Sequence, residues 1–297
     1  MKISLIILSA FDFVLFFFHS IFGKQLNLIY FWFVYYYYCL LIVVTMKRRL
    51  LLLSNSTLFG QSYFEWSKSI VNDFLGSSVE TILFIPFAGV TISWDEYKNL
   101  VSKALDRYKI QGIHEVEDMV QAVNSAQVIC IGGGNTFNLL YKLQENNLIS
   151  IIRKRILEDG IPYIGWSAGS NVACVDIGTT NDMPVIWPST DSALNLFPYN
   201  LNPHYTEATI PNINGESRIT RLNEAFEVKQ RSIVALPEGT GIKVENGKFQ
   251  FFRTELPQYL PLTVKVWKKV KNSKKPEILE YPMEEKQSDW KQLDIFS

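Results

Sequence analysis

Short apolar runs followed by longer segments of helical period recur along most of the chain. Residues 50–53, 81–85, 126–131 and 163–165 are such runs and predict strands, and 111–114 reads as a further short strand. Residues 63–75, 95–108, 116–124, 134–145 and 149–159 place apolar side chains three and four apart and predict helices. Strands this apolar cannot have a solvated face. Alternating with helices, they imply an α/β fold whose mainly parallel sheet carries helices on both faces. The pattern loosens after the fifth strand. Residues 176–214 are rich in Pro, Asn, Thr and Asp and read mostly as loop, and 216–228 reads as a helix. Residues 233–236 form another apolar run. Segments 240–244 and 248–252, joined through Glu245-Asn246-Gly247, predict a hairpin, and 262–267 a last strand. The basic run 268–275 reads as a solvated face, and 276–297 as a polar tail without strong period.

The first 45 residues follow a different pattern, with Lys2, Asp12 and Lys24 as their charges. Stretches 3–22 and 26–45 are each close to the ~20 apolar residues a membrane helix requires. One reading is a pair of membrane spans, which would anchor the protein with Lys47-Arg48-Arg49 on the cytoplasmic side. The other, preferred here, is an extension outside the working protein. Phe16-Phe17-Phe18 and Tyr35-Tyr36-Tyr37-Tyr38 resemble translated A/T-rich noncoding sequence, and Met46 is a natural start. Three regions follow: a leader 1–45, a working domain 46–275 and a tail 276–297.

Charge adds an exclusion. Lys+Arg and Asp+Glu both number 29, so the overall balance points to no nucleic-acid partner. The three cysteines, Cys39, Cys130 and Cys174, supply neither a disulfide framework nor a zinc site and suit a reducing compartment. Cys130 and Cys174 lie in apolar settings and read as small core residues. The sequon Asn55-Ser56-Thr57 would be modified only in a secreted form.

The candidate chemistry centres on Gly165-Trp166-Ser167-Ala168-Gly169. A serine between a predicted strand and a helix start, flanked by glycines, has the pattern of a nucleophile elbow. Such a serine needs a base. His19 lies in the leader, and His114 ends a central strand and reads as structural. His204, in a loop beyond the elbow, is the candidate that remains. Asp182 and Glu238 are the candidate carboxylates to orient it; chain order does not choose between them. The run Gly132-Gly133-Gly134-Asn135-Thr136 lacks the lysine of a P-loop. Backbone N–H groups at Gly133 or Gly134, with that of Ala168, are candidate donors to an oxyanion.

Several blocks occur together in one order: Leu-Leu-Leu-Leu-Ser-Asn-Ser-Thr at 50–57, Phe-Ile-Pro-Phe-Ala-Gly-Val-Thr at 84–91 and Gly-Gly-Gly-Asn-Thr-Phe at 132–137. Tyr-Ile-Gly-Trp-Ser-Ala-Gly at 163–169, Thr-Asn-Asp-Met-Pro at 180–184, Asn-Pro-His at 202–204 and Leu-Pro-Glu-Gly at 236–239 follow. In these blocks the chain from about 50 to 267 resembles the peptidase E family of α-aspartyl dipeptidases. The resemblance implies a fold like the class I glutamine-amidotransferase domain, flavodoxin-like in plan, and a cytosolic serine peptidase acting on dipeptides with an N-terminal aspartate. It matches Ser167 to the nucleophile and His204 to the histidine. Glu238 or Asp182 is the third member, with Glu238 preferred. It also implies an arginine for the aspartyl side chain, matched by Arg218, with Arg221 as the fallback. Asn135 is a second candidate substrate contact, and Asp182 or Glu216 would accept from the substrate amine. The reaction calls for no metal or cofactor, and the expected partner is a small peptide substrate, with membrane contact only through residues 1–45. Two rivals stand beside this reading. One is a cyanophycinase-like relative cleaving other amides or β-aspartyl bonds. The other is a membrane-tethered binding homologue that has lost catalysis.

Overall fold

A computed structural model describes residues 48–209, 215–254 and 263–283, together with the backbone of 291–292. The expected leader, 1–45, lies outside the described residues, as do the end of the expected loop, 210–214, and most of the expected tail beyond 283. The fold is organised around β1 (Leu50–Leu53), whose four leucines are fully buried. Side chains alternate across a strand, so Leu50 and Leu52 enter one core cluster while Leu51 and Leu53 enter another. Burying each contributes on the order of 1.5–3 kcal/mol. This places an unbroken apolar run in the middle of a sheet covered on both faces.

Parallel neighbours extend from β1 in the order β5 (Tyr163–Trp166), β4 (Ile129–Ile131), β2 (Thr81–Ile85) and β3 (Lys109–Gly112). The hairpin β8 (Thr240–Glu245) and β9 (Lys248–Arg253) adds antiparallel to the other side of β1, and β12 (Lys291–Gln292) follows β9 to complete eight strands. Helices α1 (Lys68–Leu75) and α2 (Trp94–Ala104) cover one face. Helices α3 (Met119–Ser125), α4 (Thr136–Glu145), α5 (Leu148–Leu157) and α6 (Ala168–Val172) cover the other. Among the described residues no helix is long and apolar enough to cross a membrane.

Local chemistry sets where elements begin and end. Ser93 and Glu96 form a reciprocal capping box that starts α2. The helix expected over 63–75 begins instead at Lys68, because Phe64 takes φ 61° and interrupts the first turn. The third strand was expected over 111–114. It runs Lys109–Gly112, and Ile113–Glu115 forms a 3₁₀ turn. Asp118 caps α3 through Gln121 N, so that helix starts later than 116.

A second sheet has four strands in the order β11 (Glu277–Pro282), β10 (Thr263–Lys268), β7 (Ile233–Ala235) and β6 (Asn200–Asn202). Helix α7 (Arg218–Lys229) packs Leu222 and Phe226 against Ile233, Ala235 and Trp267 on one of its faces. Two expectations are corrected here. The segment 176–214 holds β6, a strand of three buried residues too short for a periodic signal. The polar tail holds β11, which pairs with β10 along Thr263↔Pro282 to Lys268↔Glu277. Its sequence, Glu-Ile-Leu-Glu-Tyr-Pro, lacks the period-two alternation of a half-buried strand, and that hid it. Ending the chain at Lys275 removes β11 and the buried Met283. Thermal denaturation should then show a midpoint lowered by about 5 °C or more; an unchanged midpoint would mean that β11 adds nothing to stability.

Candidate active site

Ser167 occupies the single residue between β5 and α6, with φ 51° and ψ −113°. A non-glycine residue in this region costs on the order of 1–3 kcal/mol and persists only where its surroundings over-determine it. Here they do. Ser167 N donates to Leu53 O at 3.2 Å, and Ser170 Oγ lies 2.7 Å from Leu53 O and 2.9 Å from Gly165 O. The two glycines permit the close approach. A Cβ on Gly169 would sit 2.1 Å from Ile131 O, and one on Gly165 would sit 2.6 Å from Gly169 O. The turn therefore presses α6 onto the sheet and leaves the first helical N–H groups, starting with Ala168, without intrahelical acceptors.

His204 and Glu238 arrive from the second sheet. Strands β6 and β7 are parallel neighbours with Asn202 opposite Ala235, and Leu236 N→Asn202 O and Tyr205 N→Leu236 O, both 2.9 Å, continue the ladder past their ends. Each chain then turns out at the same edge. His204 takes φ 55° there. Its Nε2 lies 2.8 Å from Ser167 Oγ and its Nδ1 lies 2.9 Å from Glu238 Oε1. All three side chains reach solvent in part. The imidazole is thus bonded at both nitrogens, one to a hydroxyl and one to a carboxylate.

Residues just past β1 hold these loops. The buried Ser54 Oγ accepts from His204 N and donates to Leu236 O, both at 2.9 Å. The buried Asn55 accepts from Gly239 N at 2.8 Å and donates to Thr57 O at 2.8 Å. Both ends of its amide are occupied inside the fold, so the sequon at Asn55 is not presented for modification. Ser54 was not singled out from the sequence, and Asn55 only as part of the sequon. The available signal was a pair of small polar residues directly after a fully apolar strand.

The glycine run lies against the same serine. A Cβ on Gly133 would meet Ser167 Cβ at 3.0 Å, and one on Gly134 (φ 131°) would meet Ala88 O at 2.2 Å. Tyr97, also unforeseen, donates its hydroxyl to Gly133 O at 3.0 Å and lies 3.4 Å from the hydroxyl of Tyr63. Burial raises the pKa of both phenols, that of Tyr63 to about 12, so both are neutral donors. Asn135 lines the same region, but its amide is engaged. Its Oδ1 caps α4 through Asn138 N at 3.0 Å and its Nδ2 donates to Met183 O at 2.8 Å.

Asp182 stands apart from His204. Its Oδ2 accepts from Thr136 N at 2.7 Å and from Thr180 Oγ1 at 3.0 Å, and the third-partner geometry at His204 belongs to Glu238. Arg218 opens α7 and donates to Asn181 Oδ1, which also accepts from Asn202 Nδ2 at 2.7 Å. Desolvation lowers the Arg218 pKa, nearby Arg221 adds to this, and Asp182 opposes it. Arg221 is exposed and pairs with Glu216 at 3.5 Å. His114, read as structural, bonds Asp95 at 3.0 Å in the turn after β3.

Two cavities meet at Ser167 and His204. The smaller, about 70 Å³, is polar and includes Ala168, Asn171, Asn181 and Asp182 in its lining. The larger, about 620 Å³, is lined by Gly133 and Gly134 together with Tyr63, Val90, Leu100 and Val185. Ser167 therefore lies between a polar recess and a wide, largely apolar cleft.

Residues 50–252 match the family described as peptidase family S51. A peptidase E from Nostoc sp. is 48% identical over 201 residues, covering 66% of this chain and 82% of that protein. A peptidase E from Salmonella typhimurium is 43% identical over 198 residues, covering 66% of this chain and 86% of that protein. The crystal structure of a putative peptidase E protein from Listeria monocytogenes EGD-e superposes with a TM-score of 0.54 at 23% identity, covering 70% of this chain and 99% of that one. A peptidase from an acI-B1 Actinobacterium superposes with a TM-score of 0.57 at 17% identity, covering 84% of this chain and 98% of that one. These two similarities concern the fold.

Proposed function

The chain belongs to peptidase family S51 and is a serine peptidase, and we propose that it hydrolyses dipeptides with an N-terminal aspartate through an acyl-enzyme on Ser167. The observation that carries this reading is the relay from Ser167 Oγ through His204 to Glu238, at 2.8 and 2.9 Å. A serine hydroxyl is a weak nucleophile until a base removes its proton as it attacks. His204 Nε2 is within reach to do so. Glu238 orients the ring through Nδ1 and stabilises the imidazolium that forms. The attacked carbonyl oxygen becomes an oxyanion, for which the N–H groups of Ala168 and of the Gly133–Gly134 turn are the candidate donors. His204 then gives its proton to the leaving amine. It next takes a proton from water, which attacks the acyl-enzyme carbonyl and releases aspartate with Ser167 restored.

The polar recess suits the aspartyl residue. Its side-chain carboxylate needs a cation and its ammonium an acceptor. Arg218 and Asp182 are the charges associated with that side, with Asn181 linked to Arg218. A guanidinium favours a carboxylate over the neutral amide of asparagine. Asp182 is therefore assigned to binding the ammonium and Glu238 to orienting His204. The cytoplasm is the compartment this reading favours, since the peptidase needs no oxidising environment for its buried thiols.

Three outcomes follow. Ser167→Ala should abolish Asp-Leu hydrolysis, with circular dichroism and melting unchanged. Retained activity in a folded variant would remove the nucleophile. Glu238→Gln should lower kcat by about 10²–10⁴ with little change in KM, whereas Asp182→Asn should act mainly on KM. The reverse pattern in steady-state kinetics would exchange their roles. Arg218→Ala should raise KM for Asp-Leu by about tenfold or more and narrow its advantage over Asn-Leu. An equal loss on both dipeptides would deny Arg218 its part in selectivity.

A further inference from the structure

The larger cleft has an unusual wall. Val90, in the loop after β2, is 55% exposed; Leu100, on α2, is 37% exposed; Val185, in the loop after α6, is 60% exposed. Ile92 joins them, and the rings of Tyr63 and Trp166 complete the apolar lining. These side chains come from separate segments yet face one space that reaches Ser167 and His204. Aliphatic groups gathered in a concave surface, rather than scattered singly, mark a place where apolar surface is removed from water on binding. The polar part of the wall is neutral. Asn55, Ser56, Thr57, Thr91 and Asn135 line it, and the described lining contains no Lys, Arg, Asp or Glu.

The two cavities share Ser167 and His204. A substrate bonded to Ser167 Oγ therefore places its acyl part in one and its leaving part in the other. A charged aspartyl residue fits the recess that holds Asp182 and Asn181, as the proposed function requires. We propose that the larger cleft is the leaving-group subsite and that it selects a large apolar residue, such as leucine or phenylalanine, as the second residue of the dipeptide. This inference rests on the aspartyl-dipeptidase reading and adds the second half of the substrate. Its physical basis is the transfer of an apolar side chain from water to the Val90–Ile92–Leu100–Val185 wall. A residue with a charged tip would gain no partner there and would lose hydration.

The test is steady-state kinetics of the full-length protein on Asp-Leu, Asp-Phe, Asp-Ala, Asp-Lys and Asp-Glu. Asp-Leu and Asp-Phe should exceed Asp-Ala in kcat/KM by about tenfold or more, with Asp-Lys and Asp-Glu at or below Asp-Ala. Val185→Asp, at an exposed loop position where folding is not at stake, should lower the Asp-Phe to Asp-Ala ratio by about tenfold. Leu100→Asn should lower it in the same direction. Values for all five dipeptides within about threefold of one another, or a lead for a charged second residue, would overturn the subsite while leaving the aspartyl preference intact. An unchanged ratio in both variants would overturn the assignment of the wall. No hydrolysis of any Asp-Xaa dipeptide, with activity on others, would overturn the proposed function and the subsite with it.

Discussion

One buried hydroxyl ties the candidate site together. Ser54 Oγ stands at the end of the central strand and bridges His204 N to Leu236 O, each at 2.9 Å. Ser167 follows β5 in the large sheet, whereas His204 and Glu238 follow strands of the second sheet. Their side chains meet only if the two sheets present their edges to each other at a set distance. A buried hydroxyl that both donates and accepts enforces that distance, because losing either bond leaves a polar group unsatisfied in the interior. Asn55 repeats the device one residue later through Gly239 N.

The same edge carries unfavourable backbone. Ser167 and His204 both have positive φ without being glycine. Each is held there by contacts beyond its own side chain: Leu53 O for Ser167 N, and Ser54 Oγ for His204 N. The strain has a geometric use. It lifts one hydroxyl and one imidazole out of their chains toward each other, so little reorganisation remains when a substrate arrives. The large sheet supports this from beneath through burial on both of its faces. Close packing through Gly169 presses α6 onto the sheet, and close packing through Gly133 brings the glycine run up to the serine.

Charge is distributed to match. The polar recess has Asp182 in its wall, with Arg218 linked to it through Asn181. The described wall of the wide cleft contains no Lys, Arg, Asp or Glu. A dipeptide with a charged first side chain and an apolar second one would thus find both side chains complemented. Partial burial of Arg218 would strengthen the proposed interaction with a substrate carboxylate, since fewer waters compete for the guanidinium.

The α/β class was legible because its carriers are local. A run of four leucines cannot avoid burial on both sides, and glycines beside Ser167 mark a turn that side chains would block. The residues Ser167, His204 and Glu238 could be named from their blocks, and the family from the order of those blocks. What remained outside the sequence was everything that depends on distance between remote segments. Glu238 was preferred over Asp182, but both stayed open until their partners were visible, 2.9 Å from His204 Nδ1 for one and 2.7 Å from Thr136 N for the other. Two strands of the second sheet escaped notice because β6 is too short to show a period and β11, Glu-Ile-Leu-Glu-Tyr-Pro, shows no alternation. Ser54, Asn55 and Tyr97 act on residues far away in the chain, and their own neighbourhood does not show which residues those are. The sequence by itself determined the layers, the buried strands and the chemical groups available to the site. The tertiary structure decided which groups meet, because hydrogen bonds act within about 3 Å and the chain brings those atoms together only by folding.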